Sequence, residues 1–410
     1  MRRFHACVML QSEIDREADI SRDIEEQLLG NSFTLAAIVA QSVPSVRRLV
    51  WTFQRNERWF EDTLPNLTDF HFKQAFRVTP STFRYLVESL AGVLNRLSTQ
   101  MRTAISVEKR VAIGLYRLCS SAEDRTIAHL FAVGRSTVNV LWRQFCTAVI
   151  DQLEGQWLCM VRRNDMPDHV REFFAVTGFP QAVGALNGCH FPVSPPKEHA
   201  TDYYNYKGWY SIILLALVDH RYRFRYIRVG SPGRCHDASV YADSELKNLV
   251  ESAHFKTPHA IIEGTSVAPV ILCDQAFPLT QNLMKPYANP QDGTPQQVFN
   301  YNLSRTRRIV ENAFGRMKAR FRFVAKRTEC RLPNSRKAIR ACCILHNICE
   351  EFRDNVEQPW EQEAQQLAAL YVQPFHNTQA HTEVGEETRT AFAKYFSKRA
   401  PHSLGASSDV

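Results

Sequence analysis

The sequence predicts a mixed α/β fold, a central sheet with helices packed on it, preceded by a mostly helical region. Three observations predict it. The first 150 residues carry apolar stripes at helical spacing and few glycines. From about residue 170 to 325, short β-rich runs bounded by Gly, Pro and Asp alternate with helical stretches. With 410 residues, 44% of them apolar and 11% aromatic, the chain can bury a sizeable core in two or three folded units.

Taken in order, Thr79-Pro80-Ser81-Thr82-Phe83 predicts a helix start, a capping Thr followed by Pro at the first helical position, ahead of Tyr85, Leu86, Leu90 and Leu94. Val107, Val111, Ile113, Leu115 and Leu118 form one apolar stripe, and Thr126 to Phe131 predicts a short second helix. In the turn that follows, Ala132-Val133-Gly134-Arg135-Ser136-Thr137-Val138, Gly134 is expected to allow the bend. Ser136 or Thr137 is expected to cap a third helix through Leu141, Trp142 and Phe145. Residues 106–150 thus have a helix-turn-helix outline, in which Arg135, Ser136, Thr137, Asn139 and Arg143 would face a major groove or its phosphates. A purely structural three-helix bundle has the same outline.

Strands are predicted at Ala182 to Leu186, Ser211 to Val218, Phe224 to Val229 and Val270 to Cys273, with helices at 237–251, 278–286 and 303–321. The domain division expected is a helical region over 1–165, an α/β domain over 170–350, and a helical, partly disordered tail over 351–410.

Lys plus Arg exceed Asp plus Glu by 50 to 42, a formal charge of +8 that favours polyanionic partners. Eleven cysteines without a Cys-x-x-Cys pair, and an N-terminal apolar run that stops at Gln11, predict reduced thiols and an intracellular protein without a secretory leader. No apolar run reaches the roughly 18–20 residues of a membrane span. The chain also lacks a Walker motif, a dinucleotide glycine fingerprint and a nucleophile elbow, which argues against several classes of metabolic enzyme.

Carboxylates fall where elements begin or end. Val270-Ile271-Leu272-Cys273-Asp274 reads as a buried strand ending in an acid, at the sheet edge where open α/β sheets bind ligands. Asp237 follows Gly233-Arg234-Cys235-His236 and would equally serve as a helix cap, while Glu311 lies midway along a helix. Asn187-Gly188, in Ala185-Leu186-Asn187-Gly188-Cys189-His190, reads either as a hairpin corner or as a polar residue presented to a metal.

The strings GALNGCHFPV, YYNYKGWYSI, GSPGRCHDASVYADSEL, ILCDQAFPL, LMKPY, FNYNLSRTRRIVENAFGRMKARFRFV and CCILHNIC, in this order over residues 180–349, resemble the PIF/Harbinger transposase-derived nucleases of the DDE type. FRVTPSTFRYLVESL resembles the helical region that precedes the nuclease core in that family. The resemblance implies an RNase H-like nuclease core and a metal-dependent acidic site for cleaving and joining DNA. It assigns the site positions to Asn187, Asp237, Asp274 and Glu311, with Mg²⁺, or Mn²⁺ in its place, as the cofactor. Hard divalent cations need carboxylate oxygens, and two of them about 4 Å apart activate the attacking oxygen and stabilise the leaving one.

This sequence departs from the pattern at the first position, where Asn187 replaces the family's Asp and removes one negative charge. Weaker metal binding and much slower cleavage are the expected result. Smaller departures, Gly230-Ser231-Pro232-Gly233 and Cys273-Asp274-Gln275-Ala276-Phe277-Pro278, remove no ligand. Arg305, Arg307, Arg308, Arg316, Lys318, Arg320 and Arg322 surround Glu311 in sequence and are expected to neutralise phosphates, with Lys207 in its aromatic segment as a further DNA contact. His190, His236 and Asp219 are expected to support the ligands from behind. The resemblance further implies DNA as partner, a Myb-like DNA-binding protein as a further partner, and a nuclear location; an oligomer stays open, since the sequence does not give the oligomeric state. The alternative to a nuclease is a domesticated, inactive protein that acts as a DNA-binding or chromatin adaptor.

Overall fold

Leu86, Leu90 and Leu94 are completely or almost completely buried on one stripe of a helix whose cap is the predicted one: Thr79 accepts a hydrogen bond from the Thr82 N–H, with Pro80 at the first helical position. This helix belongs to a computed structural model that describes residues 59–100, 103–120 and 122–399. The described helices ahead of the sheet are α1 (Asp69–Phe76), α2 (Pro80–Leu94), α3 (Val107–Cys119), α4 (Asp124–Leu130), α5 (Arg135–Trp157) and α6 (Met166–Thr177). The α4–α5 turn is built differently from expectation. Ala132 takes the positive φ of 51°, Gly134 keeps a φ of −70°, and neither Ser136 nor Thr137 caps α5, which begins at Arg135 with no side-chain cap. A single left-handed residue two places earlier supplies the bend, so Gly134 is not needed for it.

Among the described residues seven strands follow: β1 (Ala182–Pro192), β2 (Ser211–Val218), β3 (Phe224–Pro232), β4 (Ala260–Ile262), β5 (Thr265–Val267), β6 (Val270–Leu272) and β7 (Leu283–Met284). Five of them make one sheet in the order β3-β2-β1-β6-β7, and β4 and β5 form a separate hairpin. β1, β2 and β3 form an antiparallel meander, while β6 runs parallel to β1 and β7 parallel to β6. Such a mixed five-stranded sheet, three antiparallel strands followed by parallel ones and covered by helices, is the RNase H-like arrangement expected above.

Every residue of β2 is buried, as a central strand covered on both faces requires. Its period of two sends Ile212, Leu214, Ala216 and Val218 into one core layer and Ile213, Leu215 and Leu217 into the other. The second layer is filled by α6, α7 (Asp237–Ala242) and α8 (Glu245–Glu251), through Met166, Val170, Val240, Tyr241, Leu246 and Val250. The first is filled by α9 (Pro295–Arg320), through Phe299, Leu303, Val310 and Phe314, and by the long helix α10 (Leu332–Glu351).

Three expectations are corrected. The strand expected to end at Leu186 continues to Pro192 without a turn: Asn187 pairs with Ala216 and Gly188 with Leu215, so Asn187-Gly188 is no hairpin corner. Pairing along the whole of β2 outweighs the turn preference of the dipeptide. The stretch 278–286 is not helical, because Leu283 and Met284 pair with Ile271 and Leu272 as the edge strand β7. The helix expected over 237–251 is broken at Asp243 and Ser244, where Ser244 is extended (ψ 150°) and starts α8.

The same core takes in the chain's last described helix. α11 (Gln358–Ala369) buries Trp360, and α12 (Glu383–Arg399) packs Phe392 and Phe396 against Phe179, with ring centroids 5.1 and 5.0 Å apart. Polar links tie the helical region to the sheet. Asn347 on α10 accepts from the Phe224 N–H at 2.8 Å and donates to the carbonyls of Phe224 (2.8 Å) and Trp157 (2.6 Å). No helix among the described residues is long and apolar enough to cross a membrane.

Candidate active site

β1 runs past the end of its parallel neighbour, and the site lies at that step. Ala182 pairs with Val270 and Ala185 with Leu272, so continuing the register by two residues sets Asn187 level with Asp274. Ala185 and Leu272 both point into the layer filled by α9, and alternation turns Asn187 to the same side. Asn187 is half-buried, and its Oδ1 accepts a hydrogen bond from the Gly188 N–H at 3.0 Å.

Asp237 is the first residue of α7 and comes to β1 from the opposite face. A β carbon on Gly188 would lie 2.2 Å from Asp237 Oδ1 and 2.5 Å from its Cγ, so the carboxylate occupies the space that glycine leaves. Asp237 is buried, its Oδ1 has no hydrogen-bond partner, and burial together with the nearby charge of Asp274 raises its pKa to about 7. The Asp274 carboxyl is also pushed up, by burial above all and further by Glu311. Arg307 and the Ala276 N–H, which donates to Asp274 Oδ1 at 2.9 Å, pull it the other way. Glu311, half-exposed on α9, is held by Arg307 at 2.7 Å.

The structure therefore brings Asn187, Asp237, Asp274 and Glu311 to one end of the sheet, with Asp274 in electrostatic reach of both other acids. Mutual repulsion of Asp237 and Asp274 and the unpartnered buried oxygen fit a cation held by oxygen ligands. The full expected set is less well served: among the described residues no three acidic, His or Cys side chains converge to hold an ion, and Glu311 is turned to Arg307. The donors present fit a divalent ion at the Asp237–Asp274 pair, with Glu311 beside it.

The basic residues are mostly committed elsewhere, which corrects the expectation of a seven-residue phosphate-binding crowd. Arg305 donates to the Thr177 carbonyl, Arg307 pairs with Glu311, and Arg316 pairs with Glu350 at 2.7 Å. Arg322 pairs with Glu363, and fully buried Arg320 donates to the carbonyls of Arg77 and Asp354. Arg308 is exposed, and Lys318, two helical turns beyond Glu311, lies 4.7 Å over the Phe191 ring on the site side of β1. Lys207 is exposed above Tyr206. Arg135, Ser136, Asn139 and Arg143 are exposed on α5 and Thr137 is partly so, and no described contact joins them to the acids.

His190 is buried, its Nδ1 2.8 Å from Ser211 Oγ, and burial with the charges of His376 and Lys318 lowers its pKa to about 3, so it is neutral. His236, the residue before Asp237, sets its Nδ1 2.7 Å from Nδ1 of His376. Asp219 does not support the site. It follows β2 one residue beyond the Val218–Ala185 pair, toward the start of β1, where it accepts from the N–H groups of Arg221 and Arg223 and pairs with Arg225 at 2.7 Å. Although burial pushes its carboxyl up, Arg225 and Arg223 hold it below the usual value, as for a structural turn anchor. Sequence reasoning missed Gly188, Gln275, Gln373 and His376. Gly188 was visible as a small residue beside a ligand position, whereas Gln373 and His376 approach the site from far along the chain and carry no motif.

An RNase H-like sheet with acids just after β6, on the helix after β3 and on the helix closing the core resembles the arrangement of DDE endonucleases, which cut phosphodiesters beside bound divalent ions. Sequence comparison agrees: the family model of DDE superfamily endonucleases matches residues 186–347. The chain is similar to the Harbinger transposase-derived nucleases of that superfamily. It is 26% identical over 317 residues to the Arabidopsis thaliana protein Antagonist of Like Heterochromatin Protein 1, covering 73% of this chain and 78% of that one. It is 25% identical over 321 residues to the human putative nuclease HARBI1, covering 75% and 88%. An Arabidopsis ALP1-like protein is 26% identical over 314 residues, covering 71% and 74%. No solved structure matches the chain.

Proposed function

We propose that this chain holds DNA at the acidic end of its sheet and that its phosphodiester cleavage is impaired, because Asn187 stands at the position of the first metal-binding Asp. The placement of Asn187 level with Asp274 carries the reading. A divalent cation, Mg²⁺ or Mn²⁺, held at the Asp237–Asp274 pair with Glu311 beside it, would activate the attacking water or 3′-hydroxyl and stabilise the leaving oxygen. What the chain's own residues contribute is charge and position. Two divalent ions bring four positive charges, and the site meets them with three carboxylates, one of which already faces Arg307. Asn187 adds a neutral oxygen already engaged by the Gly188 N–H. Asp237, with a pKa of about 7, loses its proton more readily when a cation is beside it, so metal uptake should rise with pH between about 6 and 8.

Exposed Arg308 and half-buried Lys318 on the helix that carries Glu311, exposed Lys207, and Arg135 and Arg143 on α5 supply candidate phosphate contacts. A second reading, a DNA-binding or chromatin adaptor without cleavage, draws support from the name of the Arabidopsis relative. Both readings place the protein in the nucleus, and the second assigns part of DNA recognition to a Myb-like partner. The test is incubation of the protein and its Asn187→Asp variant with supercoiled DNA and Mg²⁺ or Mn²⁺. Metal-dependent nicking by the variant well above the parent supports the proposal. Equal, robust nicking by both sinks it, and nicking by neither with DNA binding intact favours the adaptor.

A further inference from the structure

The segment 370–382, between α11 and α12, has no regular structure, yet it is fastened to the rim of the acidic site at one point after another. Because β6 ends level with Ala185, the edge of β1 beyond that point lacks a strand partner just where Asn187 lies. Gln373 covers this edge with its side-chain amide. Its Oε1 accepts from the His190 N–H at 2.8 Å and its Nε2 donates to the His190 carbonyl at 3.3 Å, as a neighbouring strand would. Trp209 Nε1 donates to the Val372 carbonyl at 3.1 Å, and the Tyr206 hydroxyl both donates to the Phe375 carbonyl and accepts from its N–H. His376 sets its ring against that of His236, centroids 3.9 Å apart, and the Thr378 N–H donates to the Gln275 carbonyl at 2.9 Å.

The same anchoring continues through Lys285 Nζ, which donates to the Thr378 carbonyl at 2.5 Å, and through backbone bonds that join Ala380 and Thr382 to Leu279. Three of these anchors adjoin site positions on three separate elements: His190 is three residues from Asn187, His236 precedes Asp237, and Gln275 follows Asp274.

The way the segment is held separates it from the rest of the fold. Its apolar side chains Leu370, Val372 and Phe375 are 71%, 58% and 57% exposed, so polar contacts, with the Tyr371 ring against Trp209 at 5.1 Å, rather than a buried core keep it in place. Such an element opens at low cost compared with the core. Both ends are fixed by packed helices, Trp360 of α11 and Phe392 of α12 being buried, so release need not disturb the fold. At roughly 3.3 Å per extended residue the segment has ample reach to swing aside.

We propose that residues 370–382 are a strap that closes the β1 and α7 side of the acidic site, and that duplex DNA engages the site only when the strap is released. The proposal rests on the reading of this end of the sheet as the DNA-binding site. It makes the chain self-inhibited by a device separate from Asn187.

The test compares the full chain with a Gln373→Ala/His376→Ala variant, which removes two anchors from the strap side. Hydrogen exchange at Phe375 and Thr378 is read together with affinity for a short DNA duplex by fluorescence anisotropy. The expected result is faster exchange confined to 371–382 and about tenfold tighter DNA binding, since apparent affinity scales with the fraction of open molecules. Added duplex should also speed strap exchange in the parent. Faster exchange with unchanged or weaker binding overturns the strap and leaves DNA binding at the site standing. Loosened exchange with no DNA bound by either protein overturns both, and unchanged exchange in the variant shows that these contacts do not hold the segment and overturns the strap.

Discussion

Replacing Asp237 by Asn should make the metal-free protein more stable at neutral and alkaline pH. The carboxylate is buried with an unpartnered Oδ1, and its pKa moves from the ordinary 3.8 to about 7, through burial first and the charge of Asp274 second. The folded state therefore holds this proton more tightly than the unfolded chain does. Stability from the group is fully present below pH 4 and is lost as pH rises to about 7. A shift of about three units, at 1.36 kcal/mol each, sets an upper limit of about 4 kcal/mol for the loss at pH 8. Asp274 shares in the repulsion, so a gain of about 2 kcal/mol in the Asn variant is the expected size. Urea unfolding in chelator at pH 4, 6 and 8 measures it: the midpoints should coincide near pH 4 and diverge by pH 8 in favour of the variant. Mg²⁺ should raise the parent's midpoint and leave the variant's nearly unchanged. A variant less stable than the parent at pH 8, or a difference independent of pH, would refute the claim that Asp237 is an uncompensated buried acid.

Gly188→Ala should displace the Asp237 carboxylate, cost about 2 kcal/mol and weaken Mn²⁺ binding several-fold, measured by unfolding and titration calorimetry. Asn347→Ala leaves the Phe224 N–H and the Phe224 and Trp157 carbonyls without their partner and should destabilise the fold by about 3 kcal/mol at all pH values in the same urea assay. Arg308→Ala and Lys318→Ala should each lower the salt dependence of DNA affinity by about one charge, read from the slope of log K against log salt. Arg320→Ala, at a fully buried position, should lower stability instead.

The elements most legible in the sequence were those whose local and tertiary demands agree. Thr79-Pro80 announces α2, and the uniformly apolar Ser211 to Val218 announces a strand buried on both faces. Asp274 was legible for a related reason, a polar residue directly after a buried run. Legibility failed where pairing with a distant segment decides the outcome. Asn187-Gly188 carries a turn signal that β2 overrides, and the stretch 278–286 reads as a helix although its Leu283 and Met284 complete a sheet edge. Charge was misleading for the same reason: basic residues close in sequence on and just after α9 point to different partners, and Arg308 and Lys318 are the more available of them. The strap was invisible, since Gln373 meets His190 across 183 residues with no motif at either end.

The most direct test of the central claim counts bound ions. Mn²⁺ binding, followed by electron paramagnetic resonance and calorimetry, should find at most one weakly held ion in the parent at pH 7.5. In the Asn187→Asp variant it should find a second ion, with at least about tenfold tighter binding and spin coupling between the two. Identical stoichiometry and affinity in the two proteins would contradict the claim that the loss of a carboxylate at position 187 limits this site.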